Sequence, residues 1–210
     1  MRLAIGLLLL LACGGASAAE PDAGSYHYRI RHAVFGDIGA HEVTVGREAG
    51  RLVIAHEAHL KVELLGITAH ERRSRYREVW DGDRLVAFDG LTVDNAERFE
   101  VTARAQGDRL IIEGAAGRTE APAATVPSQP SRRLASSRTE FFDIKTGELL
   151  QATVRAAGAE VVKLGGAPVA TERFETTGEL EHTVWYDLTG LFAQWRLWRQ
   201  GAAITLVREP

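Results

Sequence analysis

The fold is decided in the C-terminal stretch HTVWYDLTGLFAQWRLWRQGAAITLVR, residues 182–208. Turn sequences at 187–190 and 199–201 divide it into three short segments in which apolar and aromatic side chains recur at strand spacing. Alternation along the stretch assigns Trp185 and Trp195 to the inward face and Tyr186 and Trp198 to the opposite face. The stretch therefore predicts three antiparallel strands that close one end of a β-sheet.

The same alternation runs through the rest of the chain. It is longest at residues 52–64, which exceed a strand of average length and favour a strongly curved sheet. Strand patterns recur at about ten-residue spacing between Gly/Asp turns, and only residues 114–138 interrupt them. We therefore predict an all-β fold, a strongly curved antiparallel meander of about twelve strands forming a half-barrel or barrel. One short helix around residues 131–137, or an irregular loop, is expected in the middle.

The N-terminus has the pattern of a secretory signal peptide. Arg2 precedes an apolar run, and small residues follow up to Ala19. We predict residues 1–19 as a signal peptide and 20–210 as a single all-β domain that is secreted to the periplasm or beyond the cell. A second interpretation is a lipoprotein signal, because Leu10-Leu-Ala-Cys13 approximates a lipobox and would leave a lipid anchor on Cys13.

Composition narrows the classes of function. Cys13 is the single cysteine, so a chain processed at residue 19 has neither disulfides nor thiolate metal sites. The formal net charge of -3 argues against a nucleic-acid partner, which requires a basic face. No second apolar run has membrane length, so no transmembrane segment is predicted in the domain. No cofactor is predicted either, since no Gly-rich phosphate loop opens a helix.

An ordered set of short motifs resembles a bacterial family of exported domains of unknown function. The motifs are GDIGAH at 36–41, LLGIT at 64–68, RYREVWDGDRL at 75–85, TGEL at 146–149 and the C-terminal stretch. The resemblance covers the whole predicted domain and implies a curved all-β sheet, with no activity or site residue to carry over. Members of the family tend to have an aromatic residue after the Pro-Ser pair of the middle loop. Here Arg132 and Arg133 follow instead, so the resemblance does not predict an aromatic plug.

Histidines, arginines and serines are the candidates for chemistry. His56 and His59 are too close for a helical metal motif, and on a strand they face opposite sides. His32, His41 and His56 share the apolar faces of successive strands, where hydrogen-bonded core histidines are expected and a metal site is the alternative. The arginines of residues 72–77 predict a solvated strand face, with anion recognition as the alternative. No serine lies in a nucleophile elbow, so no catalytic or metal-binding residue is assigned.

Three functions remain open. We predict a non-catalytic binding or carrier module for an apolar small molecule or lipid in the cell envelope, with the concave face as its site. The residues expected to line that site are Leu52, Ile54, His56, Leu60, Tyr76, Trp80, Trp185 and Trp195. The alternatives are a structural or interaction protein with a filled core, and a hydrolase with an unrecognised site.

Overall fold

The computed structural model describes residues 20–129, 131–133, 140–199 and 201–210. The predicted signal peptide and Cys13 lie outside these ranges, as does most of the predicted helix around residues 131–137. Within the described ranges every regular element is a strand, so no helix there is long and apolar enough to cross a membrane.

Fifteen strands form one continuous, strongly curved sheet in the described part of the chain. The sheet is open, with the spatial order β8-β7-β6-β5-β4-β3-β2-β1-β15-β14-β13-β12-β11-β10-β9, so that β8 and β9 are its edges. The strands are β1 (Gly24–His32), β2 (Gly36–Glu48), β3 (Arg51–Leu64), β4 (Ile67–Asp81), β5 (Arg84–Asp94), β6 (Glu97–Gln106), β7 (Arg109–Gly114), β8 (Gly117–Pro122), β9 (Val126–Pro127), β10 (Glu140–Phe142), β11 (Leu149–Leu164), β12 (Ala167–Gly178), β13 (His182–Tyr186), β14 (Phe192–Arg199) and β15 (Ala202–Arg208).

Short hairpins explain why sequence neighbours are sheet neighbours. Most turns have two residues between the last paired positions, as at Ala49–Gly50 between Glu48 and Arg51. Because successive strands run antiparallel, the turns alternate between two ends of the sheet. The β1–β2, β3–β4, β5–β6 and β14–β15 turns lie at one end, called here the β1–β2 end. The β2–β3 and β4–β5 turns and the 187–191 connection lie at the other, called the β2–β3 end.

The predicted fold class is confirmed, with differences in detail. There are fifteen strands because the segment from 114 to 142 contributes β8, β9 and β10, which lack a clear alternating pattern. The β9–β10 pair is parallel, in contrast to the purely antiparallel meander expected. Strand β11 is the longest, at sixteen residues, and it has a bulge between Ala156 and Gly158.

The prediction that Trp185 faces inward and Tyr186 outward is wrong. Tyr186 packs into the main core, whereas Trp185 lies on the other face with Ala193 and the side chains of β11. The reason is a β-bulge, because Tyr186 pairs with Phe192 and Trp185 with Gln194. The extra residue breaks the alternation on which the prediction relied. Trp195 does face inward, as expected.

Chain segments between the two sheet edges bridge the open side. The chain passes from β8 to β9 through residues 123–125, and Thr125 N–H donates to the Pro122 carbonyl oxygen. The turn at 143–148 packs on the β7–β8 hairpin, where Ala116 N–H donates to the Thr146 carbonyl oxygen across 2.9 Å. A Cβ atom added at Gly114 would lie only 2.6 Å from the same Thr146 carbonyl oxygen. The sheet itself stays open, and loops cover the gap between its two edge strands.

The main core fills the half of the concave face nearer the β2–β3 end. Tyr28, Trp80, Phe88, Phe142 and Phe192 are its large, fully buried members. Tyr28 stacks on Phe192 with ring centroids 4.2 Å apart, and its hydroxyl donates to the Phe192 carbonyl oxygen over 2.8 Å. These contacts join β1 to β14 across β15 and hold the curvature of the sheet.

A substitution at Gly39 tests how closely β2 and β3 approach each other. A Cβ at this position would overlap the His59 carbonyl oxygen and lie 2.8 Å from the Leu60 Cα, so a substitution must push the two strands apart. We expect Gly39→Ala to lower the free energy of unfolding by about 2 kcal/mol or more in urea titrations. Gly46→Ala is the matched control in the same strand, because its Cβ would meet nothing within 4 Å. Equal stability of the two variants would contradict this packing.

Candidate functional site

A buried carboxylate, Glu78 on β4, is the centre of a polar network inside the sheet. Its side chain is fully enclosed. Oε2 accepts hydrogen bonds from Trp80 Nε1–H at 2.8 Å and from Ser131 Oγ–H at 2.5 Å. Because Ser131 belongs to the segment between β9 and β10, this carboxylate attaches that segment to the sheet wall.

Arg132 fixes the same segment one residue further on. It is only 2% exposed, and its guanidinium lies over the Trp80 ring at 5.3 Å from the centroid. Its two terminal nitrogens donate to the Gly82 carbonyl oxygen at 2.7 Å and to Asp83 Oδ1 at 2.9 Å. Arg132 therefore enters the interior itself and stacks on an aromatic ring of the wall.

Two histidines continue the network toward the next strands. His41 Nε2 and His56 Nδ1 are 3.1 Å apart and share one proton, while His56 Nε2 lies 3.9 Å from Glu78 Oε1. Tyr76 stacks on His56 with centroids 4.3 Å apart. The two histidines are thus buried core residues in mutual contact, as the sequence favoured, and His32 lies apart from them on β1.

Burial determines which of these groups carry charge. It lowers the pKa of His41 to about 3, and it lowers that of His56 well below its ordinary value, assisted by repulsion from His41. Burial raises the pKa of Glu78 to about 7, against the hydrogen bonds from Ser131 and Trp80 and the charge of Arg132. The histidines are neutral at physiological pH, and Glu78 is the group that titrates there.

An open groove of about 990 Å³ occupies the rest of the concave face. It opens at the β1–β2 end, where Phe35, Leu64 and Trp198 are at once exposed and part of its lining. Its apolar wall comes from neighbouring strands of the sheet and from the 143–150 and 178–181 connections, namely Ile30, Ile38, Leu60, Val62, Ile144, Leu150, Leu180, Trp195, Leu197, Ile204 and Leu206.

One side of the groove carries a charged cluster. Arg72 projects inward from β4, and Lys145 pairs with Asp94 at 2.6 Å and lies over the Phe99 ring at 4.2 Å. His70 Nε2 is 3.6 Å from the same Asp94 carboxylate. Burial opposes ionisation of Asp94, but the hydrogen bond from Lys145 and the nearby cations outweigh it and lower its pKa. The cluster bears one more cation than anion, counting Arg72 and Lys145 against Asp94.

Carboxylates also line the groove, at Asp143, Glu148, Glu179 and Glu181. Two of them are engaged with the backbone. Asp143 Oδ1 accepts from the Lys145 and Thr146 amides at 2.8 and 2.9 Å, and Glu179 Oε2 accepts from the Gln151 amide at 2.6 Å. The groove therefore offers charged groups of both signs, with Arg72 and Lys145 as the cations nearest Asp94.

Two ring nitrogens in the groove wall lack hydrogen-bond partners among the described residues. They are Trp195 Nε1 and His182 Nδ1, on side chains whose rings meet edge to face at 5.9 Å. Burial, with a smaller contribution from Arg199, lowers the pKa of His182 to about 4. Donor and acceptor capacity is thus present beside the apolar wall.

The structure divides the eight residues predicted to line the concave site. Leu60 and Trp195 line the groove. Leu52, Ile54, His56, Tyr76 and Trp80 do face inward, as alternation predicted, but they are packed in the filled half with no surface on the groove. Trp185 lies on the opposite face of the sheet, beside Arg196, so the prediction that it lines the concave site is wrong.

Other sequence features have structural explanations. His59 is exposed and bonds Glu71 at 2.8 Å, on the face opposite His56. Arg73, Arg75 and Arg77 form outward ion pairs with glutamates of β2, β3 and β4. Among the described residues no group of three or more His, Cys, Asp or Glu side chains is arranged to hold a metal ion.

Sequence analysis missed the charged cluster of the groove. Arg72 was grouped with the solvated arginines, although its even position in β4 places it on the face of Ser74 and Tyr76. Lys145 belongs to none of the sequence features considered above. The alternation in β4 could have indicated Arg72, whereas the position of Lys145 depends on a long-range contact that no local pattern reveals.

Comparison with known proteins assigns the family and the fold. Residues 35–209 match the model of the family described as "Domain of unknown function (DUF6134)", and the chain belongs to this family. The sequence matches no curated protein. The crystal structure of a β-barrel-like protein of the domain of unknown function DUF1849, from Brucella abortus, is similar with a TM-score of 0.62 at 9% identity. The match covers 91% of this chain and 97% of that one, and it supports the fold alone.

Glu78→Gln tests the buried carboxylate. A pKa raised from 4.5 to about 7 means that the folded state loses stability as pH rises through this window, by roughly 3 kcal/mol in total. Glutamine keeps an acceptor for Ser131 and Trp80 and removes the titration. We therefore expect the melting temperature of Glu78→Gln, relative to wild type, to increase from pH 5 to pH 8 and then level off.

The control for this experiment is Glu57→Gln, an exposed carboxyl on β3. It shows how far removal of a surface carboxyl alone changes the melting temperature over the same pH range. Burial keeps His41 and His56 neutral in the folded protein, so their contribution to the pH dependence is common to the proteins compared. A Glu78→Gln advantage that shrinks as pH rises would contradict the assignment.

Proposed function

We propose that this protein binds an amphiphilic, lipid-like molecule in the groove, as a non-catalytic binding or carrier module. The observation that carries the proposal is the groove itself, a space of about 990 Å³ on the inner face of the sheet. Ligand sites in proteins are of this size and are mostly apolar with a few polar groups. A filled core would have left space for only a few waters.

The distribution of side chains favours an amphiphile over a purely apolar compound. Leu60, Leu197 and Ile204 offer a continuous aliphatic wall, which suits an acyl or similar chain. Arg72 and Lys145 stand beside that wall and suit a carboxylate or phosphate, because their donors are charged. We infer that the chain of the ligand lies along the wall and that its polar group meets the cluster.

The buried network supports a structural role for the histidines. Among the described residues, no hydroxyl group hydrogen-bonds to either imidazole, and Ser131 donates to Glu78. A hydrolase with a serine or threonine nucleophile needs that hydroxyl in contact with its base, so the histidines do not fit this mechanism. Action in the cell envelope follows from the predicted signal peptide and stays a prediction.

Ala58→Phe tests the groove directly. Ala58 lies on the inner face of β3 in the groove lining, so a phenyl ring there occupies ligand space. Delipidated wild-type protein should enhance the fluorescence of a fatty-acid probe, and Ala58→Phe should weaken its affinity by at least about tenfold, equivalent to about 1.4 kcal/mol.

The matched control is Ala55→Phe, three residues earlier on the opposite face of the same strand. Ala55 is half-buried like Ala58, but it is absent from the groove. We expect this variant to bind the probe as wild type does. Absence of probe binding by wild type would remove the basis of the proposal and would favour the alternative of an envelope interaction protein.

A further inference from the structure

Large apolar side chains are exposed at one end of the sheet. Six such residues, Val34, Phe35, Leu64, Leu65, Ile67 and Trp198, lie at or beside the β1–β2, β3–β4 and β14–β15 turns. Their strands are consecutive in the sheet, in the order β4-β3-β2-β1-β15-β14, so the three hairpin tips are neighbours. We call this set the apolar rim. The two other large exposed apolar residues of the described chain, Val161 and Leu188, lie elsewhere.

Leu65 is unfavourable for folding in two respects. Its side chain is 103% exposed, and its φ of 53° is in the left-handed region that bulky residues avoid. With Gly66 at φ 78° it forms a two-residue hairpin turn of the type that prefers Asn or Gly at this position. The corresponding β5–β6 turn at the same end has Asn95 at φ 56°. Neither packing nor turn geometry accounts for a leucine here.

Charged side chains beside two of the three tips are neutralised in pairs. Lys61 and Glu63 are 2.5 Å apart beside the β3–β4 tip, and Arg31 and Asp37 are 2.8 Å apart beside the β1–β2 tip. Paired charges lower the cost of bringing these tips into a less polar medium. The rim also continues into the groove, because Phe35, Leu64 and Trp198 line both.

We propose that the apolar rim docks on a phospholipid bilayer, with the hairpin tips inserted at the headgroup boundary and the groove mouth facing the membrane. Separate tips carrying aliphatic side chains and a tryptophan suit the interfacial region, where such residues gain by leaving water. An amphiphile would then pass between bilayer and groove without crossing water. The docking surface itself needs no cargo, so this inference goes beyond the proposed function.

Leu65→Asn separates docking from folding. Asparagine accepts the left-handed conformation, so the melting temperature should stay equal or rise. Co-sedimentation with phosphatidylcholine vesicles should fall at least about fivefold, and further in the double variant Leu65→Asn/Val34→Ser. Wild-type binding should persist at high ionic strength, because the contact is apolar.

Leu188→Asn is the matched control, since Leu188 is 83% exposed at the β2–β3 end. It should co-sediment like wild type. The groove variant Ala58→Phe should also bind vesicles normally, which distinguishes failure of the groove from failure of the rim. Absence of wild-type binding, or an equal loss in Leu65→Asn and Leu188→Asn, would overturn the proposal. So would a rim variant that changes only the oligomeric state in sedimentation velocity, since the rim would then be a self-interface.

Discussion

The carboxylate of Glu78 holds the interior together. The sheet is open, and its two edges are bridged by loops, so the segment between β9 and β10 must be anchored from within. Glu78 does this through Ser131, and Arg132 completes the attachment on Trp80 and the β4–β5 turn. A buried, hydrogen-bonded carboxyl is costly to disrupt, because removal of one partner leaves the other unsatisfied. Ser131 and Arg132 thereby fill part of the interior beside Glu78 and Trp80.

The division of the interior explains how the molecule combines stability with a site. The half nearer the β2–β3 end is packed with aromatic side chains around Trp80 and Phe88, and it carries the core of a chain that has no disulfide among its described residues. The other half is bounded by shorter, half-buried aliphatic side chains such as Leu60 and Leu197, which leave space between the walls. The filled core and the proposed binding groove thereby lie toward opposite ends of the same strands.

Alternation of apolar and polar residues predicted the fold well, because most strands of this sheet pair with their neighbours in sequence. Hairpins with two-residue turns place each strand beside its sequence neighbour, so alternation and turn residues sufficed for the strongly curved sheet and for the inward face of β3. The pattern failed where geometry depends on distant contacts. The bulge in β14 places Trp185 and Trp195 on opposite faces of the sheet, and β9 and β10 are too short to alternate. Of the site, Leu60 and Trp195 were predictable, whereas the contribution of Lys145 depends on a loop that crosses between the edges of the sheet.

The central claim is that the groove holds an amphiphile. It is tested most directly by identifying any lipid that co-purifies with the protein. The measurement is mass spectrometry of organic extracts from protein purified without detergent, with wild type and Ala58→Phe prepared in parallel. A carrier should yield an amphiphile at roughly one molecule per chain in wild type, and much less in the variant, because the phenyl ring occupies its site. Blank extracts from wild type, or equal amounts of the same lipid in both proteins, would contradict the account.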